Sequence, residues 1–139
     1  MGKVEMRGKF LFDASSVIYA LKLRSLKMLY DNYLQWLTIY EVINALWKEA
    51  ILTKAISPQE ASEIVKLFAE SLEFVKMLSP HPYEDEILSI ARELNITAYD
   101  ASYVVLAEKN DLTLVTEDKK LRTKAEKLVK AVSLTQITS

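Results

Sequence analysis

Short apolar runs alternate along this chain with longer segments in which apolar residues recur at helical spacing. Runs rich in strand formers lie at 9–13, 74–78, 112–116 and 131–134. Each is separated from the next by at least one segment of helical periodicity. Strands that alternate with helices form βαβ units, which build a parallel sheet with helices on both faces. The pattern therefore predicts an α/β fold, a three-layer α/β/α sandwich with a mainly parallel central sheet.

Several predicted helices begin at recognisable capping residues. Thr38 and Glu41 have the spacing of a capping box, in which each side chain satisfies a backbone NH near the other residue. Ser57 followed by Pro58 is a second start signal. The class of 23–37 stays open, because its apolar residues suit both a helix and a short strand. The first predicted helix is capped by Ser15 or Ser16 and runs through Leu21. Further helices are predicted at 39–55, 57–71, 83–94, 97–109 and 117–130.

Composition limits both the size of the fold and the chemistry available to it. The chain has 139 residues, of which 50% are hydrophobic, enough for one well-packed domain spanning 1–139. It has no cysteine, which excludes disulfides, thiolate nucleophiles and Cys-based zinc or iron–sulfur sites. The one histidine, His81, lies between two prolines, and we interpret it as a loop residue rather than a general base. A metal site would therefore use oxygen ligands.

The overall charge gives no sign of a nucleic-acid binder. The chain has 18 basic and 19 acidic residues, so a nucleic-acid partner would have to be held by a local cluster of basic side chains. The segment Met1–Lys9 lacks the apolar region of a signal peptide, and no apolar run reaches membrane-spanning length. We therefore expect a cytoplasmic protein.

Four carboxylates occur where a predicted strand ends or a helix begins: Asp13, Glu41, Asp100 and Asp118. In a parallel sheet such positions converge on one crevice. Ionised carboxylates in one crevice repel each other unless a divalent cation compensates their charge, and oxygen ligands suit Mg²⁺ or Mn²⁺. A purely structural role is an equal alternative for Glu41 and Asp100, since each lies three residues after a helix-capping Thr. Asp13 is harder to explain in that way, because it directly ends an apolar strand.

The segments that contain these acids resemble the PIN domains, and within them the VapC-type toxin ribonucleases of toxin–antitoxin pairs. They read FDASSVIYAL, TIYEVINAL and TAYDASYVVLAEKNDLTLVTEDKKL, in the order shown by that family, and the resemblance covers nearly the whole chain. The catalytic and metal-binding residues that it implies are Asp13, Glu41, Asp100 and Asp118. The resemblance also implies three polar residues that contact the substrate or support the acids: Ser15, Asn44 and Thr116.

The resemblance also implies an activity and partners. The activity is that of an endoribonuclease dependent on Mg²⁺ or Mn²⁺, in which the metal polarises the phosphoryl oxygens and lowers the pKa of the attacking water. Four acids leave open whether one ion or two are bound. The implied partners are an RNA substrate, a second copy of the chain in a homodimer, and an antitoxin of VapB type.

Two clusters of residues have more than one interpretation. The basic run after Asp118 suits either a solvated helix face or a surface that receives phosphates. The aromatic and Met residues at 28–47 suit the core better than a groove for an antitoxin helix or a second copy. The residues of the two clusters are Lys119, Lys120, Arg122, Lys124, Lys127 and Lys130 in the first, and Met28, Tyr30, Tyr33, Trp36, Tyr40 and Trp47 in the second.

Other classes of protein are less consistent with the acidic positions. A receiver domain needs a pair of acids after its first strand, and a haloacid-dehalogenase-type phosphatase needs a second Asp two positions after the first. Ala14 and Ser15 follow Asp13 instead. The remaining alternative is a catalytically silent PIN domain that acts as a protein- or RNA-binding module.

Overall fold

A computed structural model describes residues 8–137, which form a five-stranded sheet with helices on both faces. The strands are β1 (Phe10–Phe12), β2 (Tyr33–Gln35), β3 (Lys76–Leu78), β4 (Thr113–Val115) and β5 (Ala131–Val132). Their order across the sheet is β3-β2-β1-β4-β5, and every neighbouring pair is parallel. This confirms the predicted parallel α/β architecture.

Within residues 8–137, six α-helices connect and cover the strands. They are α1 (Ala14–Lys22), α2 (Trp36–Trp47), α3 (Pro58–Ser71), α4 (Glu84–Leu94), α5 (Ala98–Lys109) and α6 (Lys119–Ala125). The helices that follow β3 and β4 begin close to their predicted starts, and α3 matches its predicted range. A π-helical turn, Lys48–Leu52, directly continues α2, and short 3₁₀ turns lie at Leu26–Leu29, Leu72–Phe74 and Leu134–Gln136.

Alternate residues of the central strand enter two different cores. Phe10 and Phe12 pack in a cluster with residues of α1, α2 and α3. Leu11, which points to the opposite face of the sheet, packs in a second cluster with residues of α5 and α6. Both faces of β1 are therefore buried, as a three-layer sandwich requires.

The segments on either side of β2 differ from the sequence prediction. The open stretch 23–37 contains a 3₁₀ turn and then β2, so α2 begins at Trp36, directly after the strand, with Gln35 at its cap position. Thr38 therefore lies inside the helix, and the predicted capping box with Glu41 is wrong. The Thr38 hydroxyl instead accepts a hydrogen bond from the backbone NH of Gln35, at 3.3 Å.

Two further boundaries were predicted wrongly. Asp13, rather than Ser15 or Ser16, caps α1 and accepts from the Ser16 NH. The basic helix ends at Ala125 instead of reaching 130, because the NH groups of Leu128 and Val129 both bond the Ala125 carbonyl and turn the chain back toward the sheet. That turn allows β5 to pair with β4.

None of the helices in the described part of the chain combines the length and the apolar character needed to cross a lipid bilayer. The expectation about the segment Met1–Lys9 concerns mainly residues outside the described range.

Candidate metal centre

The four predicted acids lie around the carboxyl ends of the central strands. Asp13 directly follows β1, and Asp118 lies three residues after β4. Glu41 is in the second turn of α2, the helix that follows β2, and Asp100 is in the first turn of α5. The charge of Glu41 is repelled by both Asp13 and Asp100, and that of Asp100 by Asp118. The fold thus brings acids from four separate segments into one electrostatic field.

Asp13 is the most buried of the four, with 6% of its surface exposed. Its Oδ1 accepts hydrogen bonds from the Ser15 hydroxyl at 2.6 Å and from the Ser16 backbone NH at 3.0 Å. Burial raises the pKa of the Asp13 carboxyl, and these hydrogen bonds oppose the rise by stabilising the ionised form. Asp13 therefore combines a helix-capping role with a charge held inside the protein.

Ser15 and Thr116 join the ends of β1 and β4. The Ser15 hydroxyl accepts from the backbone NH of Glu117 at 2.9 Å and lies 3.3 Å from the Thr116 hydroxyl. Thr116 is fully buried, and its hydroxyl accepts from the Asp118 NH at 3.1 Å. By its position in the sequence Thr116 also suits a cap of α6, but the cap is Asp118 itself, whose Oδ1 accepts from the Leu121 NH.

Glu41 is held by a residue that sequence reasoning missed, Tyr103 on α5. The Tyr103 hydroxyl donates to Glu41 Oε1 at 2.7 Å, and the tyrosine side chain is 1% exposed. Burial and the charge of Glu41 raise the pKa of Tyr103, which keeps the hydroxyl protonated and able to donate. Burial and repulsion from the neighbouring acids raise the pKa of Glu41, while the Tyr103 bond lowers it.

The hydrogen bonds around Tyr103 have a fixed direction. An ionised carboxylate only accepts, so the Tyr103 proton points to Glu41. The Thr38 hydroxyl, 2.7 Å from the Tyr103 oxygen, must then donate to it, and Thr38 in turn accepts from the Gln35 NH. The end of β2 is thereby linked to Glu41 through two buried hydroxyls. Glu41 and Tyr103 are 62 positions apart, so no local motif pairs them.

Asn44 and Asp100 complete the set of predicted residues. Asn44 is exposed one helical turn after Glu41, and the described hydrogen bonds of Glu41 do not include it. Asp100 donates its backbone NH to the Thr97 hydroxyl at 3.1 Å, which confirms the predicted cap of α5. Burial raises the pKa of Asp100, and repulsion from Asp118 adds to the rise.

The side chains present suit a hard divalent cation. The donors are carboxylate oxygens, and none of the ion pairs formed between residues 8–137 involves them. In the same range, no group of three or more His, Asp or Glu side chains is already arranged around a common point that a metal ion would occupy.

Two depressions flank the acids, and their linings differ. The aromatic groove, of about 650 Å³, lies on the side of Glu41, and the basic cleft, of about 480 Å³, lies on the side of Asp118. The aromatic groove is lined by Leu37, Tyr40, Glu41, Ile43, Asn44, Trp47 and Tyr99. The basic cleft is lined by Asn95, Ile96, Thr97, Asp100, Asp118, Lys120, Leu121 and Lys124.

The aromatic and basic side chains have mixed roles. The core interpretation is wrong for Trp36, Tyr40 and Trp47, which are 53%, 75% and 47% exposed. Met28 and Tyr33 do pack against the cores, and the Tyr30 ring contacts the Phe74 ring in a tilted arrangement, with centroids 4.7 Å apart. Within the basic run, Arg122 donates to the Thr116 carbonyl and Lys124 to the Asn95 carbonyl, at 2.7 and 3.0 Å. The run is therefore partly structural.

Comparison with known proteins identifies close sequence relatives. The chain is 39% identical over 126 residues to Exonuclease VapC9 of Pyrobaculum aerophilum, covering 85% of this chain and 86% of the relative. It is 38% identical over 96 residues to Ribonuclease VapC3 of the same organism, covering 67% of this chain and 70% of the relative.

Solved structures share the fold. The crystal structure of PAE2754 from Pyrobaculum aerophilum is similar with a TM-score of 0.78 and 35% identity, covering 94% of this chain and 86% of that one. The structure of DNA-bound VapBC from Salmonella typhimurium has a TM-score of 0.64 at 16% identity, covering 91% of this chain and 98% of the other. The PIN domain model matches residues 10–127, so the chain belongs to the PIN domain family.

Proposed function

We propose that this protein is a metal-dependent ribonuclease that hydrolyses phosphodiester bonds at the four acids near the carboxyl ends of its strands. The observation that carries the proposal is the convergence of four carboxylates from separate segments. Burial raises the pKa of Asp13, Glu41 and Asp100, and the charges of neighbouring acids add to the rise for Glu41 and Asp100. Proteins keep such repelling charges together most readily where a cation binds. The names of the two sequence relatives, an exonuclease and a ribonuclease, support nuclease chemistry.

In this proposal the four acids hold Mg²⁺ or Mn²⁺. The cation would polarise the phosphoryl oxygens and lower the pKa of an attacking water. The protein's own contribution is positional, since Ser15 fixes Asp13 and Tyr103 fixes Glu41. Asn44 is exposed and can contact a substrate, whereas Thr116 is buried and supports the ends of β1 and β4.

The first experiment is cleavage of a panel of labelled RNAs by the purified protein, with Mn²⁺, with Mg²⁺ and with EDTA. Asp100→Asn, prepared in parallel, is the matched inactive variant because it removes one charge with little change of shape. We expect cleavage that requires metal and is lost in the variant. Equal cleavage by both proteins would place the activity elsewhere, and no cleavage of any RNA would favour a catalytically silent binding module.

We further propose internal cleavage, although one relative is named an exonuclease. The lining of the aromatic groove includes Glu41 and that of the basic cleft includes Asp100 and Asp118, so open surface adjoins the acids in two places and an RNA need not end at the site. A covalently closed circular RNA tests this directly, because it has no end for an exonuclease to use. Linearisation of the circle supports an endoribonuclease, whereas cleavage of only the linear form of the same sequence contradicts it.

We also propose that the protein is the toxin of a VapBC-type pair and that its partner is a VapB-type antitoxin. VapC names among the relatives and the VapBC structure support this assignment. Expression in a bacterial host should arrest growth, Asp100→Asn should not, and co-expressed antitoxin should restore growth. Light scattering would test the expected homodimer.

A further inference from the structure

We propose that the aromatic groove beside Glu41 is a subsite that stacks one unpaired nucleobase of the substrate. This inference rests on the proposed nuclease function and adds a ligand for residues that the reaction does not otherwise use. The main contacts would come from the rings of Tyr40, Tyr99 and Trp47, with the Asn44 amide at the base edge.

Exposure of the rings is the first observation. Tyr40 and Tyr99 are 75% and 62% exposed, and each directly precedes a site acid, Glu41 or Asp100. Exposed aromatic rings are costly to leave in water, and flat ring faces are the surfaces on which proteins stack unpaired bases. Because the two tyrosines come from different helices, α2 and α5, the fold presents rings from two sides of one groove.

The second observation is that the groove is continuous with the acids. Glu41 and Asn44 form part of its wall, so a ligand seated there touches the site itself. Its volume, about 650 Å³, is within the range of small-molecule sites and ample for a base. Asn44 offers both a donor and an acceptor, which is what the edge of any base requires.

The third observation is the distribution of charge. Among the described residues that line the groove, Glu41 is the only carboxylate and there is no lysine or arginine, so the groove is poorly suited to the phosphate backbone. The basic cleft contains Lys120 and Lys124 beside Asp100 and Asp118, which suits phosphates. An RNA strand that passes over the acids would therefore be bound most favourably with a base on the Glu41 side and the next phosphates on the Asp118 side.

The test uses an RNA whose cleavage position has been mapped with the wild-type protein. Each nucleotide next to that position is replaced in turn by an abasic residue, and KM is measured for wild type, Tyr99→Leu and Tyr99→Phe. Leu keeps apolar bulk but cannot stack, whereas Phe keeps the ring. We expect one abasic position to raise the wild-type KM roughly 5- to 100-fold, the range of one base–aromatic stack. Tyr99→Leu should raise KM similarly on intact RNA, with no further rise on that abasic RNA, while Tyr99→Phe stays close to wild type.

Phe74→Leu is the matched control. Phe74 is also an exposed ring, 53% exposed, but it precedes β3 and so lies at the amino-terminal edge of the parallel sheet, away from the acids. We expect its KM to equal that of wild type. The subsite is overturned if Tyr99→Leu and Tyr40→Leu keep the wild-type KM, or if they raise KM equally for intact and abasic RNAs. Loss of antitoxin binding alone in these variants would make the groove a protein surface instead.

A binding measurement separates this inference from the proposed function. The chain has two tryptophans, so Trp36→Phe leaves Trp47 as the only one, inside the groove. Single-stranded oligonucleotides should quench its fluorescence, and oligonucleotides made only of abasic residues should not. Quenching without cleavage would retain the subsite and remove the nuclease proposal. Cleavage without quenching and without any effect of abasic residues would retain the nuclease proposal and remove the subsite. Absence of both cleavage and quenching would remove both proposals.

Discussion

The four acids form two pairs that are held in different ways. The inner pair, Asp13 and Glu41, is fixed by side-chain hydroxyls, from Ser15 at 2.6 Å and from Tyr103 at 2.7 Å. The outer pair, Asp100 and Asp118, belongs to helix starts, where Asp118 caps α6 and Asp100 lies in the first turn of α5. Asp13 is buried and Asp118 is exposed, while Glu41 and Asp100 are both half-buried. The pairs thus differ in their surroundings, since the inner pair has dedicated hydroxyl donors and the outer pair lines the basic cleft.

This difference suggests a division of work within the proposed site. Acids with dedicated donors keep a fixed geometry, which favours the reacting atoms. The lysines beside the outer pair are better placed to contact the phosphates of a substrate as it arrives. Variants of the inner pair and its donors should therefore act mainly on kcat and on metal affinity, and variants of the lysines beside the outer pair mainly on KM.

The largest expected effect is that of Asp13→Asn. It removes a charge from the proposed metal site, so activity should fall at least about 100-fold, in keeping with the several kcal/mol that a catalytic ion contributes. Stability should not fall, because Asn keeps an oxygen for the Ser16 NH and removes a charge that burial disfavours. Cleavage rates and thermal melting of the variant and wild type in EDTA check both parts.

A surface change gives the matched control for Asp13→Asn. Asp111→Asn alters an exposed acid in the turn before β4, outside the four-acid set, and should keep wild-type activity. Wild-type activity in Asp13→Asn itself would exclude the inner pair from the reaction and remove the basis of the comparison.

Metal binding should stabilise the wild-type protein. An ion at 100 times its Kd adds about 2.7 kcal/mol, which should raise the melting temperature by roughly 5–10 °C. Glu41→Gln should lose most of that rise, because it removes a carboxylate that Asp13 and Asp100 repel in the absence of metal. Calorimetry with Mn²⁺ and with EDTA measures the difference, and Glu126→Gln, an exposed acid at the end of α6, serves as control.

The outer pair sharpens this prediction. If Asp118→Asn reduces the metal-induced rise as much as Glu41→Gln does, both pairs bind the ion equally and the proposed division is wrong. If Glu41→Gln shows the full wild-type rise, Glu41 is not a ligand.

Tyr103→Phe should have the next largest effect. It deletes only the hydroxyl that donates to Glu41, and loss of a donor that orients a metal-binding residue typically costs about 10- to 100-fold in metal affinity or activity. We expect kcat or the metal Kd to change while KM for RNA does not. Tyr33→Phe is the control, since the Tyr33 ring takes the Lys76 ammonium over its face and no hydrogen bond of its hydroxyl occurs among the described residues.

A purely structural Tyr103 would give a different result. Because Thr38 loses its acceptor in Tyr103→Phe, some stability should be lost as well. If melting temperature falls but kcat and metal affinity stay at wild-type values, Tyr103 supports the core and does not position Glu41.

The inner and outer pairs also differ in how far the sequence predicted them. The start of α5 and the end of β4 follow from local patterns, so the Thr97 cap was predicted correctly. The hydrogen bond that supports Glu41 was not predicted, because Tyr103 is 62 positions away and has the sequence context of an ordinary buried ring within a continuous apolar helix. The capping box at Thr38 was predicted wrongly for a related reason. Pairing of β2 with β1 and β3 fixes where α2 begins, and no local signal reports that pairing.

Exposure was the other property that local patterns could not supply. Trp36, Tyr40 and Trp47 have the hydropathy of core residues, yet α2 turns them toward solvent because Val42 and Leu46 occupy its inner face. Hydropathy indicates the free-energy cost of exposing a ring, but the packing of the whole fold determines which rings are exposed.

The smallest expected effect concerns the basic cleft, because the cations of the basic run after Asp118 are not equivalent. Arg122 is bound to the Thr116 carbonyl and Lys124 to the Asn95 carbonyl, so their removal would disturb the fold as well as the substrate. Lys120 is exposed and lines the cleft with both outer acids, which makes it the cleanest probe of phosphate binding. Lys120→Ala should raise KM a few-fold with kcat unchanged.

The salt dependence of KM distinguishes a phosphate contact from a general loss of positive charge. For a single-stranded substrate, one lost contact lowers the slope of log KM against log salt by about 0.7. Lys66→Ala removes an exposed lysine from α3, outside the cleft, and should leave that slope at the wild-type value. A reduced slope in Lys120→Ala alone would place substrate phosphates on the Asp118 side of the site. If both variants keep the wild-type slope, the outer pair faces solvent rather than substrate, and the strand must leave the acids by another route.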